Sequence, residues 1–356
     1  MRARADSTRA RRQPKLQDVA ARAGVSAGTV SNALNHPEKV APATLHRVVS
    51  AIEELGFTRN GAASTLASGT STVLGLVVID LMNSLFVDIT RGAQGPARAH
   101  GFVLQLADSV NDEDQQFAHL QFLQHARAAG VLLAPIHEPH EGIRFLRDHS
   151  IPVVLVNYAA DGDDCCTVLI DNEQVGYLAA RHLIQLGRTR IAFVGGLNPL
   201  QPVAQRRKGV LRAIEEAHGE VQLLDIETAD LNPPSGSAAG AAFVAMPRED
   251  RPDAVLAVTD LLAMAIISEF RAAGIRVPED VAVMGCDHNS VAWGGAVPLT
   301  SVTLRGQEMG AVAVDLMLAE LREPPETHQH RTVVLEPSLI VRESTVGRQR
   351  VVPATG

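Results

Sequence analysis

What most constrains this chain is a series of short, continuous apolar runs that starts at Val73 and recurs through most of the remaining length. The runs are VLGLVVI (73–79), FVLQLA (102–107), GVLLAPI (130–136), PVVLVNY (152–158), TVLIDN (167–172), RIAFVGG (190–196), DAVLAVTD (253–260) and VAVMGCD (281–287). A strand with one wet face alternates apolar and polar residues. A strand without a polar face is covered on both sides, as parallel strands are beneath crossover helices. The segments between the runs, such as 173–187 and 261–274, are helical in composition. Repeated strand–helix units predict a doubly wound α/β sheet. Eight strands over about 270 residues suit two such sheets better than one, and 356 residues exceed what one ordinary core supports.

The N-terminal part follows a different period. In LQDVAARAGVSAGTVSNAL (16–34), Leu16, Val19, Ala20 and Ala23 form the stripe of one short helix, and Gly24 can take the left-handed cap that ends it. Ser26 is a good N-cap for a second helix with Val30 and Leu34 on its inner face. A third helix begins at Pro42 with Leu45, Val48, Val49, Ile52 and Leu55 as its stripe, and ends at Gly56. Three short helices with a tight glycine turn make a helix-turn-helix, whose second helix presents N-terminal side chains to base edges in the major groove. Ser26, Ala27, Gly28, Thr29, Ser31 and Asn32 are the candidates. A small helical bundle used for protein contacts is the alternative that the pattern leaves open.

Charge sharpens the division. Residues 1–69 hold ten Lys/Arg against five Asp/Glu, whereas the rest hold 22 against 35, within a net charge of −8. A basic head on an acidic body suits a polyanion-binding module on a globular domain; a solvated tail without a partner would show the same balance. No apolar run approaches the length of a membrane helix. MRARADSTRARRQP is basic but leads into an amphipathic segment, unlike a signal peptide, so a cytoplasmic location with no membrane partner is expected. The three cysteines, with Cys165 and Cys166 adjacent, imply neither a disulfide framework nor a CxxC metal pair.

DVAARAGVSAGTVSNALN and VAPATLHRVVSAIEELGF resemble the DNA-binding signature and third helix of the LacI/GalR (lactose-repressor-type) family. VLGLVVIDLMNSLFVDITRG, DNEQVGYLAARHLIQLGRTRIAFVGG, RPDAVLAVTDLLAMAIISEFRAAGIRVPEDVAVMGCDH and VVLEPSLIVREST are similar to later landmarks of that family, in order. The resemblance implies an all-α helix-turn-helix domain plus an α/β domain like a type I periplasmic binding protein. That second domain would have two doubly wound parallel-sheet subdomains around a ligand. The expected plan is a basic disordered tail (1–14), the helix-turn-helix (15–57) and a hinge or linker (58–71). An effector-binding and dimerisation domain (72–345) and a disordered tail (346–356) follow, with crossovers near 160–166, 289–293 and 323–331. In the hinge, Leu66 matches the family leucine that wedges between base steps of the minor groove, a cost repaid by added contacts. Asn60, Ala63 and Ser64 lie around it, Ser64 where members often carry arginine.

Open α/β sheets bind ligands beyond the carboxyl ends of their strands. There lie Asp80, Asn83 and Phe86, then Asn157, Thr259 and Asp287. Arg206 is read in the loop after Gly195–Gly196. By resemblance, Arg206 and Asp287 match the family's principal polar ligand contacts, and a guanidinium and a carboxylate can fix adjacent hydroxyls. A strand-end Asp also serves as a helix cap, Asp260 most readily; a loop arginine also serves as a surface ion-pair partner, and Phe86 also as core. Cys286 stands where an aromatic is common, His288 replaces a frequent aspartate, and PLQPVAQ lacks the usual serine or threonine.

HEPH (137–140) and HQH (328–330) have metal-ligating residues but no further ligands nearby in sequence, so no metal is expected; no cofactor motif is legible. The expectation is a dimeric transcriptional repressor on a palindromic double-stranded DNA operator, controlled by a small sugar-like effector. A solute-binding protein without a regulatory role and an enzyme on a sugar or nucleotide are the alternatives. Against the first stands the head; against the second, the lack of a nucleophile–base pair. The family's tetramer-forming members carry a leucine heptad after the body and RESTVGRQRVVPATG has no such repeat, so the resemblance implies a dimer and not a tetramer.

Overall fold

The structure is a computed structural model that describes residues 14–57, 71–159, 164–195, 200–219, 221–288, 297–324 and 327–347. The chain divides into two compact units, Met1–Thr70 and Ser71–Gly356.

The first unit holds α1 (Leu16–Ala23), α2 (Ala27–Asn35), a 3-10 turn (Pro37–Lys39) and α3 (Pro42–Leu55). Gly24 ends α1 in the left-handed conformation, with Val25 N–H donating to the Ala20 carbonyl, and Ser26 Oγ accepts from Thr29 N–H at 3.1 Å to start α2. Val19, Ala20, Ala23, Val30, Ala33, Val48 and Ala51 form its core, with Leu16, Leu34, Leu45, Ile52 and Leu55 packed around. Val49, expected in the stripe of α3, is 44% exposed; at 3.6 residues per turn its neighbour Val48 takes the inward face together with Ala51 and Ile52.

The second unit contains two six-stranded sheets, ordered β11-β5-β4-β3-β1-β2 and β12-β10-β9-β8-β6-β7. Lobe one is built from β1 (Val73–Val78), α4 (Ser84–Ala99), β2 (Val103–Asp108), α5 (Glu113–His125), β3 (Gly130–Leu133), α6 (His140–Asp148), β4 (Val153–Val156) and β5 (Cys166–Ile170). Lobe two follows with α7 (Asn172–Gln185), β6 (Arg190–Val194), α8 (Gln201–Glu216), β7 (Gln222–Ile226), α9 (Pro233–Ala245), β8 (Ala254–Ala257), α10 (Asp260–Ala272), β9 (Ala282–Asp287) and β10 (Thr300–Thr303). α11 (Gly306–Arg322) and β11 (Thr332–Leu335) return to lobe one; β12 (Ser338–Ile340) and α12 (Glu343–Val346) close lobe two.

Burial on both faces explains the apolar runs. Leu76, Leu132 and Val154 pack into the main core, while their neighbours Val77, Val131 and Val153 pack into a second cluster with Leu120, Leu123 and Leu146. The eight expected strands are present; six are trimmed at one or both ends, β2 is shifted one residue toward the C-terminus, and β5 starts one residue earlier and ends two earlier than its run. β7, β10, β11 and β12 were not expected. They are short, polar-rich or at a sheet edge, with patterns such as QLLDI and TSVT.

Those unrecognised strands move the crossovers. A crossover near 160–166 would carry β5 into the second sheet, but it pairs with β4 in the first, Val154 against Cys166. The chain therefore crosses after β5 between 170 and 172, again between β10 and α11, and last between β11 and β12. Each crossing lies C-terminal to the expected position near 160–166, 289–293 or 323–331.

Candidate DNA-reading helix and ligand cleft

In the first unit, Ala27, Gly28 and Asn32 are exposed on α2, and Thr29 and Ser31 are half-buried. Ser26 is exposed, but its hydroxyl is committed to capping, 2.9 Å from Thr29 Oγ1. Ala27 and Gly28 leave the first turn of α2 almost bare, so another surface can approach its backbone closely. Lys15, Lys39 and Arg47 are exposed cations in the same unit. The hinge candidates Asn60, Ala63, Ser64 and Leu66 lie outside the described residues.

In the second unit, Asp80, Asn83, Phe86, Asn157, Arg206, Thr259 and Asp287 all line one open cleft, roughly 760 Å³ when the solvent at its mouth is included. Arg206 is placed differently from the sequence reading. It lies inside α8, because Pro202 is accommodated in the first turn of that helix and does not delay it. Its backbone is held by close packing: a Cβ on Gly176 of α7 would collide with the Arg206 carbonyl. Its side chain is 5% exposed, with Nε donating to Asn172 Oδ1 at 3.0 Å and Nη1 to the Val258 carbonyl at 2.5 Å.

Asp287 ends β9 with φ 129°, a conformation that costs a non-glycine residue strain. Its carboxylate lies 3.8 Å from Arg206 Nη1 and is 1% exposed. Oδ2 accepts a long hydrogen bond from Asp260 N–H at 3.4 Å, and Oδ1 has no hydrogen-bond partner among the described residues. Burial pushes the Asp287 carboxyl well above the usual range; the Arg206 guanidinium opposes this and the Asp260 carboxylate adds to it. Asn157, with φ 57°, leaves a second buried acceptor, Oδ1, without a partner. Buried acceptors of this kind are costly unless a donor arrives.

Three of the expected residues have structural duties too. Asn83 Oδ1 caps α4 through Leu85 N–H, Thr259 Oγ1 caps α10 through Leu262 N–H, and Asp80 Oδ1 accepts from Met82 N–H. The cap of α10 is thus Thr259 and not Asp260, which is fully buried and accepts from Ser301 Oγ at 2.7 Å. Phe86 is 5% exposed, both core and cavity wall. Sequence reasoning missed Asp230, Asn232, Leu200 and Leu231, which also line the cavity. The polar segment TADLNPP offered a signal, but the strand before it, β7, was not recognised.

Residues 15–60 match the family described as bacterial regulatory proteins, lacI family, and residues 180–345 match a periplasmic binding protein-like domain. The HTH-type transcriptional regulator CelR of Thermobifida fusca is 34% identical over 346 residues, covering 94% of this chain and 99% of the relative. The chain belongs to the LacI family. The HTH-type transcriptional repressor PurR of Aliivibrio fischeri (strain MJ11) is 28% identical, covering 94% of this chain and 98% of its own. A solved structure, a complex of the transcriptional regulator CelR with cellobiose, superposes with a TM-score of 0.69 at 31% identity. It covers 93% of this chain and 100% of that one. This LacI-family member is a helix-turn-helix DNA-binding regulator controlled by a small molecule, in a family of regulators and not of enzymes. Among the described residues, no helix is long and apolar enough to cross a membrane.

Proposed function

We propose that this regulator is a cytoplasmic dimeric repressor whose second unit binds a neutral sugar, without turning it over, and thereby sets the affinity of the first unit for a palindromic operator. The observation that carries the sugar is a pair of buried acceptors that lack a hydrogen bond among the described residues, Asp287 Oδ1, ion-paired with the anchored Arg206 at 3.8 Å, and Asn157 Oδ1. Hydroxyl donors satisfy both acceptors, and the Arg206 fork supplies a donor to a ring or hydroxyl oxygen. Asp80 and Asp230 outnumber Arg206 in the lining even without Asp287, which disfavours an anion. Phe86, Leu200 and Leu231 provide apolar wall for the C–H faces of a ring. The cellobiose named in the related CelR complex fits this chemistry.

On DNA, Ala27, Gly28, Thr29, Ser31 and Asn32 read base edges while Ser26 holds the helix start, and paired Leu66 side chains, flanked by Asn60, Ala63 and Ser64, wedge the minor groove. A palindromic site needs two copies of the chain. Val103, Val110 and Phe122 of the β2–α5 stretch, 60–64% exposed, supply apolar surface for such an assembly.

A genomic-fragment selection with the purified protein at moderate salt is expected to enrich palindromic sites, which neutral mono- or disaccharides then release or tighten. Salt-sensitive binding without sequence preference, or a response to anionic ligands alone, would overturn the reading. Leu66→Ala is expected to weaken specific binding at fixed salt and leave sugar affinity unchanged.

A further inference from the structure

At the start of β5, the end remote from its exit toward Asn172, four side chains with metal-binding chemistry converge. Cys166 Sγ, a Glu320 carboxylate oxygen and one ring nitrogen each from His328 and His330 all lie within 4.8 Å of one another. They come from distant stretches: Cys166 opens β5, Glu320 lies in the last turn of α11, and the two histidines precede β11. Parallel pairing of β11 with β5, Thr332 against Thr167, brings them together. HQH has no further ligand beside it in the local pattern; the fold supplies Glu320 from the end of the preceding helix and Cys166 from 162 residues away.

Three observations give the cluster the character of a site. First, Cys166 Sγ is 3.3 Å from His328 Nε2 and 3.8 Å from His330 Nδ1, so both imidazoles present a ring nitrogen to the same sulfur. Second, the other nitrogen of His328, Nδ1, is 2.7 Å from Glu323 Oε2. That is the outer carboxylate that orients metal-bound histidines. Third, Glu320 Oε2 is buried without a hydrogen-bond partner among the described residues, 4.0 Å from His328 Nε2. The His328 side chain is itself only 5% exposed.

We propose that Cys166, Glu320, His328 and His330 bind a zinc-class divalent transition-metal ion that pins the segment entering β11 to strand β5. One thiolate, two imidazoles and one carboxylate are a tetrahedral donor set for Zn(II) or Co(II); magnesium and calcium take oxygen ligands. Metal–donor lengths of about 2.0–2.3 Å place neighbouring donors of a tetrahedron about 3.3–3.8 Å apart, so side-chain rotation suffices to close the set. The ion ties together the outer strands of lobe one. β5 then runs on to Asn172, which anchors Arg206, so the site braces the strand leading to the cleft.

The tag-free full-length protein, stripped with chelator and titrated with Co(II) alone, is expected to take up one equivalent per chain. The spectrum should show a thiolate-to-cobalt charge-transfer band and intense tetrahedral d–d bands, both displaced by one equivalent of Zn(II). Cys166→Ser removes the charge-transfer band and His330→Gln weakens uptake at least about tenfold; Glu323→Gln weakens it by about 10–100-fold through the freed His328 ring. His140→Gln, at an exposed histidine of HEPH, leaves uptake unchanged. Zn(II) raises the melting temperature of the parent protein but not of His330→Gln, a readout that holds even if Cys166→Ser fails to fold. Absence of stoichiometric Co(II) uptake, an unaltered charge-transfer band in folded Cys166→Ser, or loss of uptake in His140→Gln would overturn the proposal.

Discussion

The two lobes of the second unit share one plan but divide their tasks. Sheet order corresponds strand for strand: β1, β2, β3, β4, β5 and β11 of lobe one match β6, β7, β8, β9, β10 and β12 of lobe two. Each lobe also has a helix pair in backbone contact across glycines. A Cβ on Gly92 or Gly310 would collide with the Gln307 or Ile89 carbonyl between α4 and α11, and one on Gly176 or Gly209 with the Arg206 or Glu173 carbonyl between α7 and α8. The lobes differ at their last strand, parallel in β11 and antiparallel in β12, and in what their helices carry. Lobe two places a buried arginine on its glycine-packed helix and a strained aspartate opposite. Lobe one contributes the capping residue Asn83, the unpartnered Asn157 Oδ1 and the Phe86 wall. A duplicated scaffold thus yields an asymmetric cleft, because a few buried polar side chains decide the chemistry and the backbone plan does not.

The largest expected break in that asymmetry comes from Arg206. Removing one member of a buried pair costs about 3–5 kcal/mol, so Arg206→Met should lose that much stability in urea unfolding and abolish measurable sugar binding. Asp80→Asn in lobe one should cost under about 1 kcal/mol, since only a loop hydrogen bond is touched. The Arg206→Met deficit depends on pH with a definite sign. The folded-state pKa of Asp287 is raised above its unfolded value, so between the two values the folded protein holds a proton that the unfolded chain has released. Stability therefore falls as pH rises through that window. Without Arg206 the window extends upward, so the deficit should be larger at pH 8 than at pH 5; equal deficits would show that Asp287 does not respond to the arginine.

Glycine substitutions sharpen the comparison at intermediate cost. Gly310→Ala and Gly176→Ala should each lose about 1–3 kcal/mol or more, because the clash is with a helix backbone and not a movable side chain. Calorimetric titration should separate them: Gly176→Ala displaces the Arg206 backbone and weakens sugar binding, whereas Gly310→Ala leaves affinity near the parent value. Equal losses of affinity would mean the lobes transmit strain alike.

A further, modest effect is expected between the lobes. Gln201 of α8 accepts from Ala159 N–H at 2.7 Å and donates to the Ala159 carbonyl at 2.9 Å, bridging lobe two to the loop after β4. Two hydrogen bonds of about 0.5–1.5 kcal/mol each hold the lobes together there. Gln201→Ala should increase the radius of gyration in solution scattering and weaken the sugar by roughly 5–50-fold. An unchanged radius would place the closure elsewhere.

Much of this architecture is determined by the sequence alone, since a period is a local property. Stretches such as VVLV have no polar face and suit strands covered on both sides, and Gly24 followed by Ser26 ends one helix and starts another. Strand-end positions identified Asp287 and Asn157 as cleft residues for the same reason. Tertiary structure decided what depends on partners. β7, β10, β11 and β12 carry weak patterns and become strands through sheet pairing, which moved every crossover. Arg206 turned out helical because Pro202 tolerates a first turn. Asp230 and Asn232 reached the cavity through a strand that local pattern did not reveal. The clearest case is Cys166 with Glu320, His328 and His330: no local spacing links a cysteine to histidines 162 and 164 residues away, and only the pairing of β5 with β11 makes them neighbours.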